Sequence, residues 1–154
     1  MSNLKEYLTR NKLEKIVNPK WFPNIDESKC EYSDAKVFLQ GSCQLFAYAL
    51  NEKFGYNIVE IKQGISCHYF CTLYRNGTHF LADVRGITSD RAIFFSGLSY
   101  ITDSACVYIE HSKEELLSEL REDGAGFGYC FAKYIIERFP ERYDIDKMTI
   151  GGIM

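Results

Sequence analysis

Three residues of types that catalyse acyl transfer follow one another along the chain: Cys43, His68 and Asp83. Cys43 comes directly after Ser42, a good helix N-cap, and opens the helix predicted over 43–54. At that position the partial positive charge of the helix end favours a thiolate, and the free backbone N–H groups could hold an oxyanion. Because free cysteines are also common core residues, the position of Cys43 alone supports a buried structural thiol equally well.

A predicted hairpin brings the other two residues together. Two strand-like runs, 68–74 and 78–84, flank an Asn-Gly pair, which favours a two-residue type I′ turn. In that register His68 and Asp83 lie on the same side of the sheet as diagonal neighbours, with backbones roughly 7–8 Å apart. An acidic residue on the second strand has an even chance of lying on the same side of the sheet as His68. The prediction of a catalytic site therefore depends on the presence of Cys43 at a helix start as well. In it Cys43 attacks, His68 transfers the proton and Asp83 orients the imidazole.

The segment GSCQLFA, residues 41–47, resembles the Gly-x-Cys-x-x-x-Ala nucleophile segment of the transglutaminase-like families. The order Cys43, His68, Asp83 also resembles theirs. Two features depart from the pattern: Tyr-Phe follows His68 where those families have a Trp one position further on, and the interval from Cys43 to His68 is short. Compact papain-like peptidases and amidases tolerate such spacing. The resemblance also implies Gln40 as a candidate oxyanion donor, with a solvated loop residue as the alternative.

What the resemblance implies about fold is an α+β, papain-like domain with a transglutaminase-like core, in which the nucleophile helix packs on a small antiparallel sheet. We expect a single domain over 1–154, with a core at 38–140 and an N-terminal helix and irregular segment at 1–37. Other elements are predicted as follows: a helix over 2–16 capped by Ser2, strands over 57–61 and 105–110, helices over 89–96, 112–121 and 129–139, and a glycine loop marked by Gly124, Gly126 and Gly128.

Composition restricts the classes of function. The net charge is −3 and the basic residues are dispersed, which does not favour nucleic-acid binding. No apolar run reaches the roughly 18 residues that span a bilayer, and the first residues lack the layout of a signal peptide. We therefore expect no membrane partner and a cytoplasmic location, with a signal-independent export route left open. The six cysteines are expected to be free thiols rather than disulfides.

The other cysteine and histidine residues are weaker evidence for a functional site. The Cys67-His68-x-x-Cys71 run could suggest zinc, but residues 67 and 71 share one side of a strand while 68 takes the other, and no second cysteine pair completes four ligands. We therefore expect no metal. His79 is expected to be an exposed hairpin residue, and His111 a solvated loop residue before a capping box that begins at Ser112.

Together these features predict a thiol-dependent hydrolase or acyltransferase that acts on an amide or ester carbonyl through an acyl-enzyme. Its partner would be a protein or peptide-like amide substrate, and no cofactor is implied. Two alternatives stay open: a non-catalytic binding module that retains the fold, and an effector or toxin-type modifier of a host protein. The sequence leaves the oligomeric state undetermined.

Overall fold

The computed structural model describes residues 7–17, 34–120 and 126–147. Its helices are α1 (Arg10–Leu13), α2 (Val37–Gln40), α3 (Cys43–Phe54), α4 (Arg91–Ser96), α5 (Lys113–Leu120), α6 (Gly126–Arg138) and α7 (Pro140–Tyr143), followed by a 3₁₀ turn at Ile145–Lys147. Its strands are β1 (Asn57–Gln63), β2 (Ser66–Arg75), β3 (Thr78–Asp83), β4 (Gly86–Thr88) and β5 (Val107–His111). Within these ranges no helix combines the length and the apolar character needed to cross a membrane.

The strands form one antiparallel sheet in the order β4-β3-β2-β1-β5. The hairpin between β2 and β3 turns at Asn76 and Gly77, whose φ angles of 54° and 79° are those of a type I′ turn. Its ladder runs from Arg75 opposite Thr78 to Cys71 opposite Ala82, which confirms the predicted register. The prediction of an α+β fold with a small antiparallel sheet is therefore confirmed. Strand β4 was not predicted, because it is only three residues long.

The sheet is covered on both faces, so side chains of alternating parity enter two different cores. On one face α3 packs with α2, α5 and α6, and the main core includes Tyr69, Cys71 and Phe80 from the strands. On the other face a smaller core contains Phe70 and Leu81 together with residues of and after α4. Neighbouring residues of β2 therefore belong to opposite cores.

Helix α3 spans the residues predicted for it. Its C-terminal stop is Gly55, which has φ 77° and donates its N–H to Asn51 O at 2.8 Å. Ser42 occupies the N-cap position, but its side chain makes no capping hydrogen bond and is buried, so that part of the prediction was wrong. The tip of the helix is instead fixed by packing.

The prediction of a helix over 2–16 was wrong for the described residues. Only Arg10–Leu13 is helical, and residues 7–9 are extended because Leu8 N donates to Arg85 O at 3.0 Å and Tyr7 reaches into the domain. The proposed cap at Ser2 and residues 18–33, part of the segment predicted to be irregular, lie outside the described residues.

The glycine loop was also predicted wrongly, since Gly126 and Gly128 belong to α6. A Cβ on Gly128 would lie 2.3 Å from Leu45 Cδ1, so this glycine allows α6 to approach α3 closely. Its role is helix packing, and Gly124 lies outside the described residues.

Candidate active site

Cys43 is the first residue of α3 and its side chain faces the main core, with only 5% of the residue exposed. The sulfur accepts the backbone N–H of Tyr69 at 3.3 Å and lies 3.8 Å from Gln44 Oε1. The ladder between β2 and β3 ends at Cys71 and Ala82, two residues before Tyr69 is reached. The helix tip therefore meets β2 where β3 no longer pairs with it.

His68 and Asp83 lie on the opposite face, and each is 2% exposed. Nε2 of His68 is 3.0 Å from Oδ2 of Asp83. The imidazole stacks on Phe70 at 6.1 Å between centroids with an interplanar angle of 9°, and it contacts Phe94 at 6.0 Å. The two aromatic rings leave the imidazole one orientation, in which one ring nitrogen points to the carboxylate.

Asp83 is held ionised by a set of donors that sequence reasoning missed. Oδ1 accepts hydrogen bonds from the Tyr7 hydroxyl at 2.8 Å and from the backbone N–H of Arg85 at 2.9 Å. Nη2 of the Arg85 guanidinium donates to Oδ2 at 2.7 Å. Burial by itself would raise the pKa of Asp83, but the Arg85 charge and the hydrogen bond from His68 hold it well below its usual range. The position of Arg85, two residues after an acid predicted to be buried, could have identified it as the ion-pair partner of Asp83. Nothing in the sequence links Tyr7 to the site.

This environment determines the state of the imidazole. Because the carboxylate is ionised, Nε2 carries a donated proton, and in the neutral ring the lone pair is on Nδ1. Burial by itself would lower the pKa of His68, but the Asp83 carboxylate bonded to Nε2 and the nearby sulfur of Cys43 raise it to about 9. Within the described residues Nδ1 has no hydrogen-bond partner of normal geometry. The ring is thus able to exchange a proton through Nδ1 while Nε2 stays bonded to the carboxylate.

A cleft of about 630 Å³ opens beside this network, and three members of the network, Tyr7, His68 and Arg85, border it. Cys43 is not among its described lining residues, although Leu39 of the preceding helix is. Its apolar walls come from α2, α4 and the loops, namely Leu8, Leu39, Ile65, Ile93, Leu98 and Ile101. The imidazole therefore faces the cleft, and the sulfur lies behind it.

Gln40 is the last residue of α2, and its side chain lies outside the described atoms, so the structure assigns it no contact. The nearest described donors to a group on the sulfur are therefore backbone ones: the Tyr69 N–H and the first N–H groups of α3, which have no acceptor within the helix. An oxyanion formed at Cys43 would lie in this set of donors.

The remaining histidines and cysteines that the structure describes form no second site of this kind. His111 was predicted to be solvated, but it ends β5 and lies between Glu60 and Glu115, with Nε2 at 2.8 Å and Nδ1 at 2.9 Å from their carboxylates. His79 is half-buried against the Tyr74 ring at 4.5 Å. The five described cysteines form no disulfide, and among the described residues no group of His, Cys, Asp and Glu is arranged to hold a metal ion.

Comparison with known proteins gives no relative: no family model matches the sequence, and no curated protein or solved structure matches it.

Proposed function

We propose that the chain is a thiol-dependent hydrolase or acyltransferase with a papain-like, transglutaminase-like fold, in which Cys43 attacks an amide or ester carbonyl. The observation that carries the proposal is one buried series of contacts. Asp83 holds Nε2 of His68 at 3.0 Å, and β2 carries His68 and Tyr69 side by side, with the Tyr69 N–H on the Cys43 sulfur at 3.3 Å. A carboxylate, an imidazole and a thiol at a helix start form the arrangement that activates sulfur nucleophiles.

The proton chemistry follows from the direction of the hydrogen bonds. Because the pKa of His68 is about 9, Nδ1 holds the proton given up by the thiol at neutral pH, and the thiolate forms a bond to the carbonyl carbon while the oxygen takes the C=O electron pair. The C–N or C–O bond then breaks as Nδ1 gives this proton to the leaving group. Water or an amine loses a proton to Nδ1 and bonds to the acyl carbon, and the C–S bond breaks to restore the thiolate beside the protonated imidazole. The helix end contributes only about 0.3–1 kcal/mol to the thiolate, so His68 supplies most of the activation.

The lining of the cleft favours an acyl donor with an apolar side chain. Six of the described residues that line the cleft are aliphatic, and none of the described lining residues is Asp or Glu. Two cations, Arg10 and Arg85, border it, and the charge of Arg85 is already paired with Asp83. A lysine-like donor would meet the positive charge of Arg10, for which the described residues supply no ion-pair partner, whereas a leucine-like donor buries apolar surface at about 25 cal/mol per Å².

Alkylation by iodoacetamide at pH 6.5, followed thiol by thiol by mass spectrometry, tests the proposal. Cys67 is the internal reference, since it is exposed and precedes His68 by one residue. We expect Cys43 to react faster than Cys67 even though it is 5% exposed, because ordinary thiols are nearly all protonated at that pH. The His68→Gln variant should lose the advantage of Cys43 and leave the rate of Cys67 unchanged. Slower alkylation of Cys43 than of Cys67 would contradict the proposal.

The substrate class is tested with chloromethyl ketones of N-acyl-leucine and N-acyl-lysine. We expect the leucine reagent to label Cys43 faster, and Ile93→Asp, at a side chain 46% exposed in the cleft wall, to reverse the preference. Val107→Asp is the matched control, because Val107 is 62% exposed and outside the cleft lining. An equal change in both variants would contradict the assignment of the cleft.

The burial of the sulfur favours one second candidate, a binding module that retains the fold. Cys43 is outside the described lining of the cleft, and a thiol that no ligand reaches performs no chemistry. In that case apolar ligands would still bind in the cleft and Ile93→Asp would still weaken them, but Cys43 would show no rate advantage over Cys67. The alkylation experiment therefore separates the two candidates.

A further inference from the structure

The carboxylate of Asp83 is held from an unexpected direction, by the segment of residues 7–9 at the start of the described chain. The Tyr7 hydroxyl donates to Oδ1 at 2.8 Å, on the carboxylate oxygen that does not face His68. Arg85 donates to both oxygens, from Nε at 3.1 Å in each case. Oδ2 binds His68, while the donors on Oδ1 prevent the carboxylate from rotating away.

The segment is attached to the same turn that carries Arg85. Leu8 N donates to Arg85 O at 3.0 Å, and the Arg85 guanidinium lies over the Tyr7 ring at 4.6 Å and over the Phe94 ring at 4.8 Å. The guanidinium also donates to Phe94 O at 2.9 Å. Phe94 in turn contacts His68, so the two rings and the guanidinium form one packed unit around the carboxylate.

Glycine is favoured at two positions of this unit for different reasons. A Cβ on Gly97 would lie 2.7 Å from Nη1 of Arg85, so Gly97 leaves room for the guanidinium. A Cβ on Gly86 would be in ordinary van der Waals contact with the Tyr7 ring at 3.6 Å, and it is the φ of 124° that favours glycine there. Neither position accepts a side chain without moving Arg85 or straining the backbone. The chain is thus shaped to receive Tyr7 and Arg85 at this point.

We infer that Tyr7 is a positioning residue of the candidate active site, and that docking of residues 7–9 fixes Asp83 in the rotamer that orients His68. The inference rests on the proposed function, because Tyr7 acts on Cys43 only through Asp83 and His68. Burial and the Asp83 charge raise the pKa of Tyr7 well above its usual value, so its hydroxyl remains a donor throughout the neutral range. The groups that titrate or carry charge around the carboxylate are Tyr7, His68, Cys71, Arg85 and Tyr143, with Cys43 beyond His68.

Loss of the Tyr7 hydroxyl should change two measurable properties, the titration midpoint of His68 and the alkylation rate of Cys43. When the Tyr7 donor is lost, Oδ1 has one donor fewer and the carboxylate accepts the His68 proton more strongly, so the titration midpoint of His68 rises. The imidazole stays bonded to the less restrained carboxylate and turns with it within the plane of its stack on Phe70, so Nδ1 points away from the sulfur more often and alkylation of Cys43 slows. A purely structural role for Tyr7 would lower stability and leave the midpoint of His68 unchanged.

The test compares Tyr7→Phe with Tyr143→Phe in the full chain. Tyr143 is the matched control, because its buried hydroxyl donates to Val84 O at 2.6 Å beside the same turn without touching Asp83. The midpoint of His68 is read from ring ¹³C and ¹⁵N shifts by NMR. We expect Tyr7→Phe to raise it by a few tenths of a pH unit and to slow iodoacetamide at Cys43 about threefold to tenfold, and Tyr143→Phe to change neither.

A second variant keeps the inference testable if Tyr7→Phe does not fold. Leu8→Pro removes the N–H that Arg85 O accepts and retains the Tyr7 hydroxyl, and it should move the midpoint in the same direction. A midpoint equal to that of the unmodified protein in each folded variant overturns the inference. The NMR readout does not need catalysis, so this failure differs from that of the proposed function, in which Cys43 of the unmodified protein has no rate advantage.

Discussion

The buried pair of His68 and Asp83 makes the stability of the fold depend on pH in a way that can be calculated. In the folded protein the pKa of His68 is raised from 6.5 to about 9. A group with a raised pKa stabilises the fold fully below its unfolded pKa and loses that contribution as pH rises through its folded pKa. One unit corresponds to about 1.4 kcal/mol, so a shift of this size corresponds to about 3 kcal/mol, lost between pH 6.5 and 9.

Urea denaturation at a series of pH values between 6 and 9 measures this loss. The contribution of His111 to this pH dependence has to be separated from that of His68. Burial by itself would lower the pKa of His111, but hydrogen bonds to Glu60 and Glu115 raise it, so its effect on stability has the same sign. We therefore compare His111→Gln with the double variant His68→Gln/His111→Gln, in which Gln can still donate to Asp83. The single variant should lose up to about 3 kcal/mol over the range, and the double variant much less.

Two results would refute the reasoning. Parallel stability curves for the single and the double variant would mean that His68 binds its proton equally well in the folded and unfolded chain. A stability that increased from pH 6 to 6.5 only in the single variant, and was constant above that range, would mean that burial outweighs Asp83. Burial also raises the pKa of Cys71. The contribution of this thiol to the stability of the fold decreases only toward the upper end of the pH range, and it does so equally in both variants.

Three further predictions concern the elements that place the site, and each is measured by thermal or urea denaturation. Gly128→Ala should cost about 1–3 kcal/mol because its Cβ would lie 2.3 Å from Leu45, whereas Gly41→Ala, with open space around it, should cost little; equal costs would contradict the packing argument. Gly77→Ala, at φ 79°, should destabilise the hairpin by about 1 kcal/mol, and a neutral result would exclude the turn. Ser112→Ala should cost about 1 kcal/mol, since its hydroxyl caps α5.

The parts of this fold that could be predicted are those with a local cause. The Asn-Gly pair determines the turn at 76–77, and the turn determines the register that puts His68 and Asp83 on one side. The apolar stripe and Gly55 likewise define α3. Each of these follows from residues close in sequence.

The parts that could not be predicted depend on long-range contacts. Residues 7–9 read as helix but are extended, because a hydrogen bond from Leu8 and the burial of Tyr7 outweigh a weak helical preference. The glycine at 128 looks like a loop signal until Leu45 is known to lie against it. His111 looks solvated for the same reason, since its partner Glu60 is remote in sequence.

The sulfur of Cys43 and the imidazole of His68 are anchored in different hydrophobic cores and meet only where β3 has separated from β2. A displacement of α3 relative to the sheet would therefore separate the sulfur from the imidazole while the contact between His68 and Asp83 stayed in place. The proposed reaction thus depends on how closely α3 is held against β2. The amide of Tyr69, whose proton lies on the sulfur, would exchange with solvent at the rate of that movement.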